Sequence, residues 1–240
     1  MVLSRLIAAW LVHLFTASGA VFGLAAVYAI MQQHFKLAFA LMAVTILIDA
    51  VDGYFARLIK IKEVIPNTDG ALLDNIVDYF NYALVPAFFL LASPWLLPSA
   101  MEYVCVLLIV LAASYQFTQL DAKTADHYFK RFPSYWNIVV FYLFFCEMTP
   151  WVNATIVLFL VLLSFVPMKF IYPSRLDYLA KSAFLRVLMV AATIVWGLST
   201  VGLLWIYPET SHLLVWISMS YIGLYAVISL YRTWKPLKIA

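Results

Sequence analysis

Charge is the property that this sequence has least of. Only 11% of its 240 residues are charged and 66% are hydrophobic, and the mean hydropathy is +0.96. Soluble proteins are typically about 25% charged and roughly 45–50% apolar. The composition therefore excludes an ordinary soluble domain and predicts a polytopic membrane protein.

Cysteine, histidine and clusters of basic residues are also scarce. The two cysteines, Cys105 and Cys146, fall in apolar stretches and are best explained as small apolar side chains. The four histidines are scattered along the chain, so they form no set of metal ligands. The net charge is +3, but the basic residues form no stripe and no aromatic and basic module, so we expect no binding of nucleic acid.

Apolar stretches of about 20 residues, the length that a helix needs to cross a bilayer, recur along the whole chain. They predict an all-α bundle with about eight transmembrane helices. Because no repeat, low-complexity tract or soluble segment interrupts them, residues 1–240 are predicted to form a single membrane domain. The predicted spans are residues 16–33, 37–58, 70–93, 99–119, 136–149, 151–167, 183–206 and 212–232.

The N-terminal segment has two interpretations. Residues 1–15, followed by small residues, resemble a signal peptide with its cleavage site. However, the apolar pattern continues without a break through Tyr28, as it does in a retained span. We therefore predict that the segment is retained, and that Arg5, Trp10 and His13 favour a short helix at the membrane interface.

The basic residues indicate the orientation in the membrane. Eight spans place both termini on one side, and Lys36 is then the only basic residue on the opposite side. The positive-inside rule assigns the more basic side to the cytoplasm, which predicts cytoplasmic termini in a bacterial inner membrane. The basic residues on that side are Arg5, Lys60, Lys62, Lys123, Lys130, Arg131, Lys169, Arg175, Lys181, Arg232, Lys235 and Lys238.

Four of the twelve acidic residues lie close together in the second and third spans, at Asp49, Asp52, Asp74 and Asp78. An ionised carboxylate at bilayer depth costs several kcal/mol, so it normally faces a cavity, a partner or a bound ion. On helices, Asp49 and Asp52 share one face, and Asp74 and Asp78 share another. Two neighbouring helices can therefore direct four carboxylates at one space, which opens toward the predicted cytoplasmic side.

Four carboxylates in one small site repel each other, and two divalent cations would neutralise them. Hard oxygen ligands suit Mg²⁺ or Mn²⁺, and two such ions often stabilise phosphoryl oxygens during a displacement. Gly53 and Ala56 leave room beside the carboxylates for a nucleotide, and Gly70 starts a helix whose free N–H groups favour a phosphate. These features predict a metal-dependent phosphoryl-transfer site with two ions.

The spacing of these residues resembles the signature of the CDP-alcohol phosphotransferase family. Twelve residues, 58–69, separate the two halves of the signature, where the family pattern has eight. That longer spacer, together with residues 121–137, resembles the branch of the family that joins CDP-diacylglycerol directly to free choline. All eight fixed residues of the signature are present: Asp49, Asp52, Gly53, Ala56, Arg57, Gly70, Asp74 and Asp78.

The resemblance implies a role for each fixed residue in a catalytic helix pair at residues 37–93. Asp49, Asp52 and Asp74 would hold the metal ions and the CDP diphosphate. Asp78 would lie near the metals and act as the general base on the acceptor hydroxyl. The remaining fixed residues would line the CDP site, with a phosphate-facing role for the arginine: Gly53, Ala56, Arg57 and Gly70.

The acceptor is specified by fewer residues. A quaternary ammonium such as choline is usually held against aromatic faces. Tyr82, one helical turn beyond Asp78, and Tyr128, Tyr135 and Trp136, near the start of the fifth span, are therefore predicted to contact choline. An aromatic residue near a membrane interface can equally serve as an anchor.

The basic residues of the loops allow other interpretations of the acceptor and of the lipid contacts. Lys123, Lys130 and Arg131 could bind a phosphorylated acceptor such as glycerol phosphate or inositol phosphate, and serine is another possible acceptor. Further basic residues could bind anionic lipid: Lys169, Arg175 and Lys181.

Two broader possibilities concern the protein as a whole. A divalent-cation transporter would use the same carboxylates, but transport needs a path across the bilayer and all four lie near one side. The family resemblance also implies a homodimer formed through membrane helices, although no face of the sequence identifies the contact.

Overall fold

The structure is a computed structural model that describes residues 2–124, 126, 128–172 and 183–235. The predicted class is confirmed, because the chain is an α-helical membrane protein. Arg175, Lys181 and Lys238, which the sequence assigns to the basic side, lie outside the described residues. The elements are α1 (Val2–Met31), α2 (Phe35–Ile59), α3 (Ile61–Val64), α4 (Gly70–Tyr79), a π-helical turn (Phe80–Leu84), α5 (Val85–Leu91), α6 (Glu102–Phe117), β1 (Tyr128–Lys130), α7 (Trp136–Phe145), α8 (Pro150–Leu163), β2 (Lys169–Ile171), α9 (Ala183–Ile206) and α10 (His212–Trp234).

Each predicted span coincides with a helix or a helical run, but the helices differ in length. Among the described residues, three helices are long and apolar enough to cross a membrane: Leu3–Met31, Arg186–Ile206 and His212–Trp234. The predicted fifth span, 136–149, contains only the ten residues of α7, which extend about 15 Å, or half the thickness of the hydrocarbon core. This helix is shorter than predicted because Glu147 adopts a positive φ of 50° and Pro150 begins the next helix.

The predicted boundary at residue 15 is absent. Residues 2–31 form one uninterrupted helix of 30 residues, so the proposed interfacial segment and the first span are parts of α1. The small residues that resemble a cleavage site do not break the helix, and the Ser18 hydroxyl donates to the carbonyl of Phe15 within it.

The strands β1 and β2 were not predicted. They form a two-stranded antiparallel sheet in which Tyr128 pairs with Ile171 and Lys130 with Lys169. Each strand is only three residues long, too short for the alternating pattern by which a strand is recognised in a sequence.

The chain forms two compact units. The first comprises Met1–Pro94 and Trp136–Val140, and the second comprises Trp95–Tyr135 and Phe141–Ala240. In the second unit, the rings of Trp196 and Tyr221 stack with centroids 5.5 Å apart. The Trp196 Nε1–H also donates to the Tyr142 hydroxyl at 2.8 Å, so the aromatic core of this unit is linked by hydrogen bonds.

The first unit depends on close packing of α1 against α4 and the π-helical turn. Gly19 and Gly23, one turn apart on α1, make this approach possible. A Cβ atom on Gly19 would lie 2.9 Å from Val77 Cγ1, and one on Gly23 would collide with Asn81 Oδ1 and lie 2.7 Å from Phe80 Cε1. The two glycines therefore allow α1 to lie close to the helical run that carries Asp74 and Asp78.

Replacing Gly23 with alanine is expected to destabilise the protein by about 1–3 kcal/mol, because the added methyl group overpacks this contact. Thermal unfolding of the purified protein in detergent measures the effect. Gly223→Ala on α10 is the matched control, since a Cβ atom there meets nothing within 4 Å. Equal melting temperatures for the two variants would contradict the close packing of α1.

Candidate active site

Helices α2 and α4 bring three carboxylates together. Asp49 on α2 and Asp74 and Asp78 on α4 each offer a carboxylate oxygen that lies within 4.8 Å of the other two. All three side chains are partly buried. Asp74 and Asp78 meet because residues four apart lie on the same helix face. This carboxylate cluster, Asp49, Asp74 and Asp78, can bind a hard cation through oxygen atoms alone.

Asp52, the fourth predicted metal ligand, lies outside the carboxylate cluster. Its side chain is 6% exposed and accepts a hydrogen bond from the Thr16 hydroxyl on α1. A separation of three residues turns a helix by about 300°, so Asp52 points about 60° away from Asp49. That difference is enough to direct Asp52 toward α1.

Tyr82 contacts the carboxylate cluster directly. Its hydroxyl donates a hydrogen bond to Asp49 Oδ2 at 2.7 Å, and its side chain is 6% exposed. Tyr82 belongs to the π-helical turn that follows α4, and such turns often occur at functional sites. The sequence predicted a choline contact for Tyr82, whereas the structure places its hydroxyl where it orients a candidate metal ligand.

Removing the Tyr82 hydroxyl in Tyr82→Phe is expected to weaken the affinity of the carboxylate cluster for Mn²⁺ by about tenfold or more, because hydrogen-bond partners of metal ligands typically have this effect. Titration of the purified protein with Mn²⁺ measures the loss. Tyr54→Phe on α2 is the control, since Tyr54 is 58% exposed. An unchanged metal titration would show that Tyr82 does not orient Asp49 for metal binding.

A cavity of about 420 Å³ lies beside Asp74 in the first unit. Six of the eight residues of the motif line it, and Asp49 and Asp78 are the exceptions. The Arg57 guanidinium folds over Gly53, where a Cβ atom would lie 3.2 Å from its terminal nitrogen. The motif residues in the lining are Asp52, Gly53, Ala56, Arg57, Gly70 and Asp74.

The twelve-residue spacer forms one wall of this cavity. After α2, Lys60 adopts a left-handed conformation with φ 55°, and the chain folds into the short helix α3. Ile61 and Ile65 pack against Ala9 and Val12 of α1. The longer spacer therefore forms a folded segment between α1 and the motif helices.

The start of α4 differs from the sequence expectation. The Asp69 carboxylate accepts hydrogen bonds from the backbone N–H groups of Ala71 at 3.1 Å and Leu72 at 3.0 Å. These N–H groups, which the sequence was expected to leave free for a phosphate, are satisfied within the protein. The reason is that the residue before Gly70 is itself a strong N-capping residue.

Sequence reasoning missed the contribution of α1. His13 and Thr16 line the cavity, and Thr16 also hydrogen-bonds to Asp52. The available signal was a pair of polar residues three apart in a mostly apolar helix, a spacing that places both on one face.

Tyr128 and Tyr135, two of the three other predicted choline contacts, belong to the second unit. Tyr128 in β1 is 2% exposed, and Lys169 Nζ lies 5.6 Å from its ring centroid. The Tyr135 ring lies 6.0 Å from that of Phe129. Trp136, at the start of α7 and in the first unit, is fully buried. Tyr128 therefore already has a cation over its ring.

The basic residues considered for a phosphorylated acceptor have partners of their own. Lys130 and Arg131 both pair with Asp121, and the Arg131 contact measures 2.9 Å. Hydrogen bonds from Lys130 and Arg131 hold the pKa of the Asp121 carboxyl at about 2, so the pair forms at all physiological pH values. Lys123 Nζ lies 5.4 Å from the centroid of the Tyr172 ring.

The structure is that of an apolar helical protein with a carboxylate cluster beside a cavity of about 420 Å³. A sequence model of the CDP-alcohol phosphatidyltransferase family matches residues 9–166, and the chain belongs to this family. It is an integral membrane enzyme of that class.

Three relatives from different bacteria are named phosphatidylcholine synthase. The protein from Legionella pneumophila is 48% identical, over 98% of this chain and 92% of its own length. The Legionella bozemanae protein is 45% identical, over 90% of this chain and 98% of its own length. The Borreliella burgdorferi protein is 41% identical, over 74% of this chain and 75% of its own length.

Proposed function

We propose that the protein transfers the phosphatidyl group of CDP-diacylglycerol to free choline and releases CMP. The observation that carries this proposal is the arrangement of the motif, whose eight residues either line one cavity or belong to the adjoining carboxylate cluster. The choice of choline is supported by the similarity to phosphatidylcholine synthases over nearly the whole chain.

Mg²⁺ or Mn²⁺ fits the carboxylate cluster, because its donors are three carboxylates whose oxygens lie within 4.8 Å of one another. We assign Asp49 and Asp74 as the principal ligands of two ions, with Asp78 beside them as the proton acceptor and Asp52 at the edge of the site. When bound, such ions neutralise the diphosphate and the charge that develops on the transferred phosphoryl group.

The protein residues position the substrates and accept a proton. The choline oxygen attacks the phosphorus next to diacylglycerol, and the bond from that phosphorus to the oxygen of CMP breaks. Asp78 accepts the proton of the choline hydroxyl, while Arg57, folded over Gly53, faces the diphosphate. Catalysis of this kind depends mainly on positioning and on compensation of charge.

The site is assigned to the cytoplasmic side of the bacterial inner membrane. Arg57, Lys60 and Lys62 line the cavity at one end of α2, whereas Lys36 lies at the other end. Residues 36 and 57 are separated by about 30 Å along the helix, so the two ends can lie at opposite membrane surfaces. The more basic end belongs in the cytoplasm by the positive-inside rule, and both termini are placed there with it.

Tyr82, Tyr128, Tyr135 and Trp136 stay predicted contacts for choline. A homodimer and bound membrane lipid, which the family resemblance implies, belong to the same proposal. The pairing of Lys130 and Arg131 with Asp121 favours choline over a phosphorylated acceptor.

Release of CMP by the purified protein tests the proposed reaction. The assay contains CDP-diacylglycerol and Mn²⁺, with choline, serine, glycerol phosphate, inositol phosphate or no acceptor. We expect release that depends on choline. Release only with a phosphorylated acceptor would keep the carboxylate site, overturn the choice of choline, and direct attention to Lys123, Lys130 and Arg131.

A further inference from the structure

His13 lies in the cavity wall, outside the motif and outside the roles assigned above. It belongs to α1 and is 6% exposed. Among the described residues, its imidazole Nε2 is buried without a hydrogen-bond partner. Since a buried polar atom without a partner is costly, a ligand in the cavity is expected to supply one.

The position of the imidazole is fixed by its neighbours. A Cβ atom on Gly70 would lie 2.9 Å from His13 Cε1, so the ring rests directly on the first residue of α4. The Trp10 ring also packs edge-on against the imidazole, with the two ring centroids 6.0 Å apart. A bulkier residue at position 70 would displace the imidazole, so the motif glycine Gly70 allows His13 to occupy this position.

The distance from the carboxylate cluster indicates which part of a ligand His13 can reach. Asp74 belongs both to the cluster and to the cavity lining. Gly70 lies one turn before Asp74, or about 6 Å along the helix. The cavity is lined by Asp74, Gly70 and His13 together, so a diphosphate held near Asp74 leaves room for its nucleoside beside Gly70 and the imidazole.

We propose that His13 is a nucleotide-binding residue that donates a hydrogen bond to the nucleoside part of the CDP group. This inference rests on the proposed function and adds a specificity residue from α1 to the motif on α2 and α4. Ribose hydroxyls and the cytosine ring both offer acceptors for an imidazole N–H. The hydroxyl of the neighbouring Thr16 already donates a hydrogen bond to Asp52. On this face of α1, His13 is therefore the polar residue that can donate a hydrogen bond to the ligand.

Binding of CDP and of pyrophosphate, each with Mg²⁺, separates a nucleoside contact from a phosphate contact. In purified His13→Leu we expect about tenfold weaker CDP binding, the loss typical of one hydrogen bond, and pyrophosphate affinity within about twofold of wild type. His13→Gln, which retains a donor, is expected to recover most of the CDP affinity. His34→Leu is the control, because His34 is an exposed histidine of the same unit.

Equal CDP affinity in wild type and His13→Leu would overturn the role of His13, and so would equal losses for CDP and pyrophosphate. Absence of metal-dependent CDP binding and CMP release in the wild type would instead overturn the proposed function. The two failures are therefore distinguishable.

A measurement on the wild-type protein covers the case in which His13→Leu does not fold. The chain has four histidines, so isotope labelling of histidine gives few imidazole signals. The signal that disappears in His13→Gln is expected to shift with Mg²⁺ and CDP and to stay in place with Mg²⁺ and pyrophosphate. A signal that CDP leaves unmoved would contradict the proposal.

Discussion

Asp78→Asn is expected to lower choline-dependent CMP release by about 10³-fold, while binding of CDP-diacylglycerol largely survives. The substitution keeps the size of the side chain but removes the proton acceptor, and general-base catalysis is commonly worth about 10²–10⁴-fold. Asp49 and Asp74 remain to hold the metal ions and the diphosphate. Steady-state turnover and metal-dependent binding of CDP, measured on the same preparation, give the two quantities.

The matched control for this substitution is Asp69→Asn on the same helix. Asparagine caps a helix about as well as aspartate, so α4 keeps its N-cap and turnover is expected to stay within about threefold of wild type. Loss of metal-dependent CDP binding in Asp78→Asn would contradict a role as base alone and make Asp78 principally a metal ligand.

Asp49→Asn is expected to weaken metal-dependent CDP binding by about 100-fold. The substitution removes one of the three clustered charges and leaves the Tyr82 hydroxyl with a neutral partner. Even the hydrogen-bond partners of metal ligands typically change affinity by about 10–100-fold, and a ligand itself contributes at least as much. Isothermal titration of CDP in the presence of Mn²⁺ measures the loss.

Thermal stability gives an independent test of the same assignment. A ligand that binds only the folded protein raises its melting temperature, so Mn²⁺ with CDP should stabilise the wild type and not Asp49→Asn. Asp121→Asn is the control, because Asp121 is exposed and belongs to the second unit. An undiminished rise in melting temperature for Asp49→Asn would remove Asp49 from the metal site.

The sequence was most informative where a local pattern determines the structure. Apolar periodicity located the helices, and the i, i+4 spacing of Asp74 and Asp78 placed them on one face of α4. The meeting of these residues with Asp49 required one further assumption, that α2 and α4 are neighbours.

The features that were not predicted depend on long-range contacts. His13 lies against Gly70 because α1 packs on α4 through its glycines, and no local pattern records that contact. Asp52 points toward Thr16 because its side chain leaves α2 about 60° around the helix axis from that of Asp49, on the side that faces α1. The π-helical turn inserts a residue into the register, so the position of Tyr82 could not be read from spacing alone.

Formation of phosphatidylcholine from labelled choline and CDP-diacylglycerol by the purified wild-type protein tests the central claim most directly. With Mn²⁺, we predict labelled lipid and CMP in equal amounts, and loss of both products when the metal is chelated. Labelled lipid that persists after chelation, or CMP released without labelled lipid, would contradict the assignment of the carboxylate cluster as a metal-dependent choline phosphatidyltransferase site.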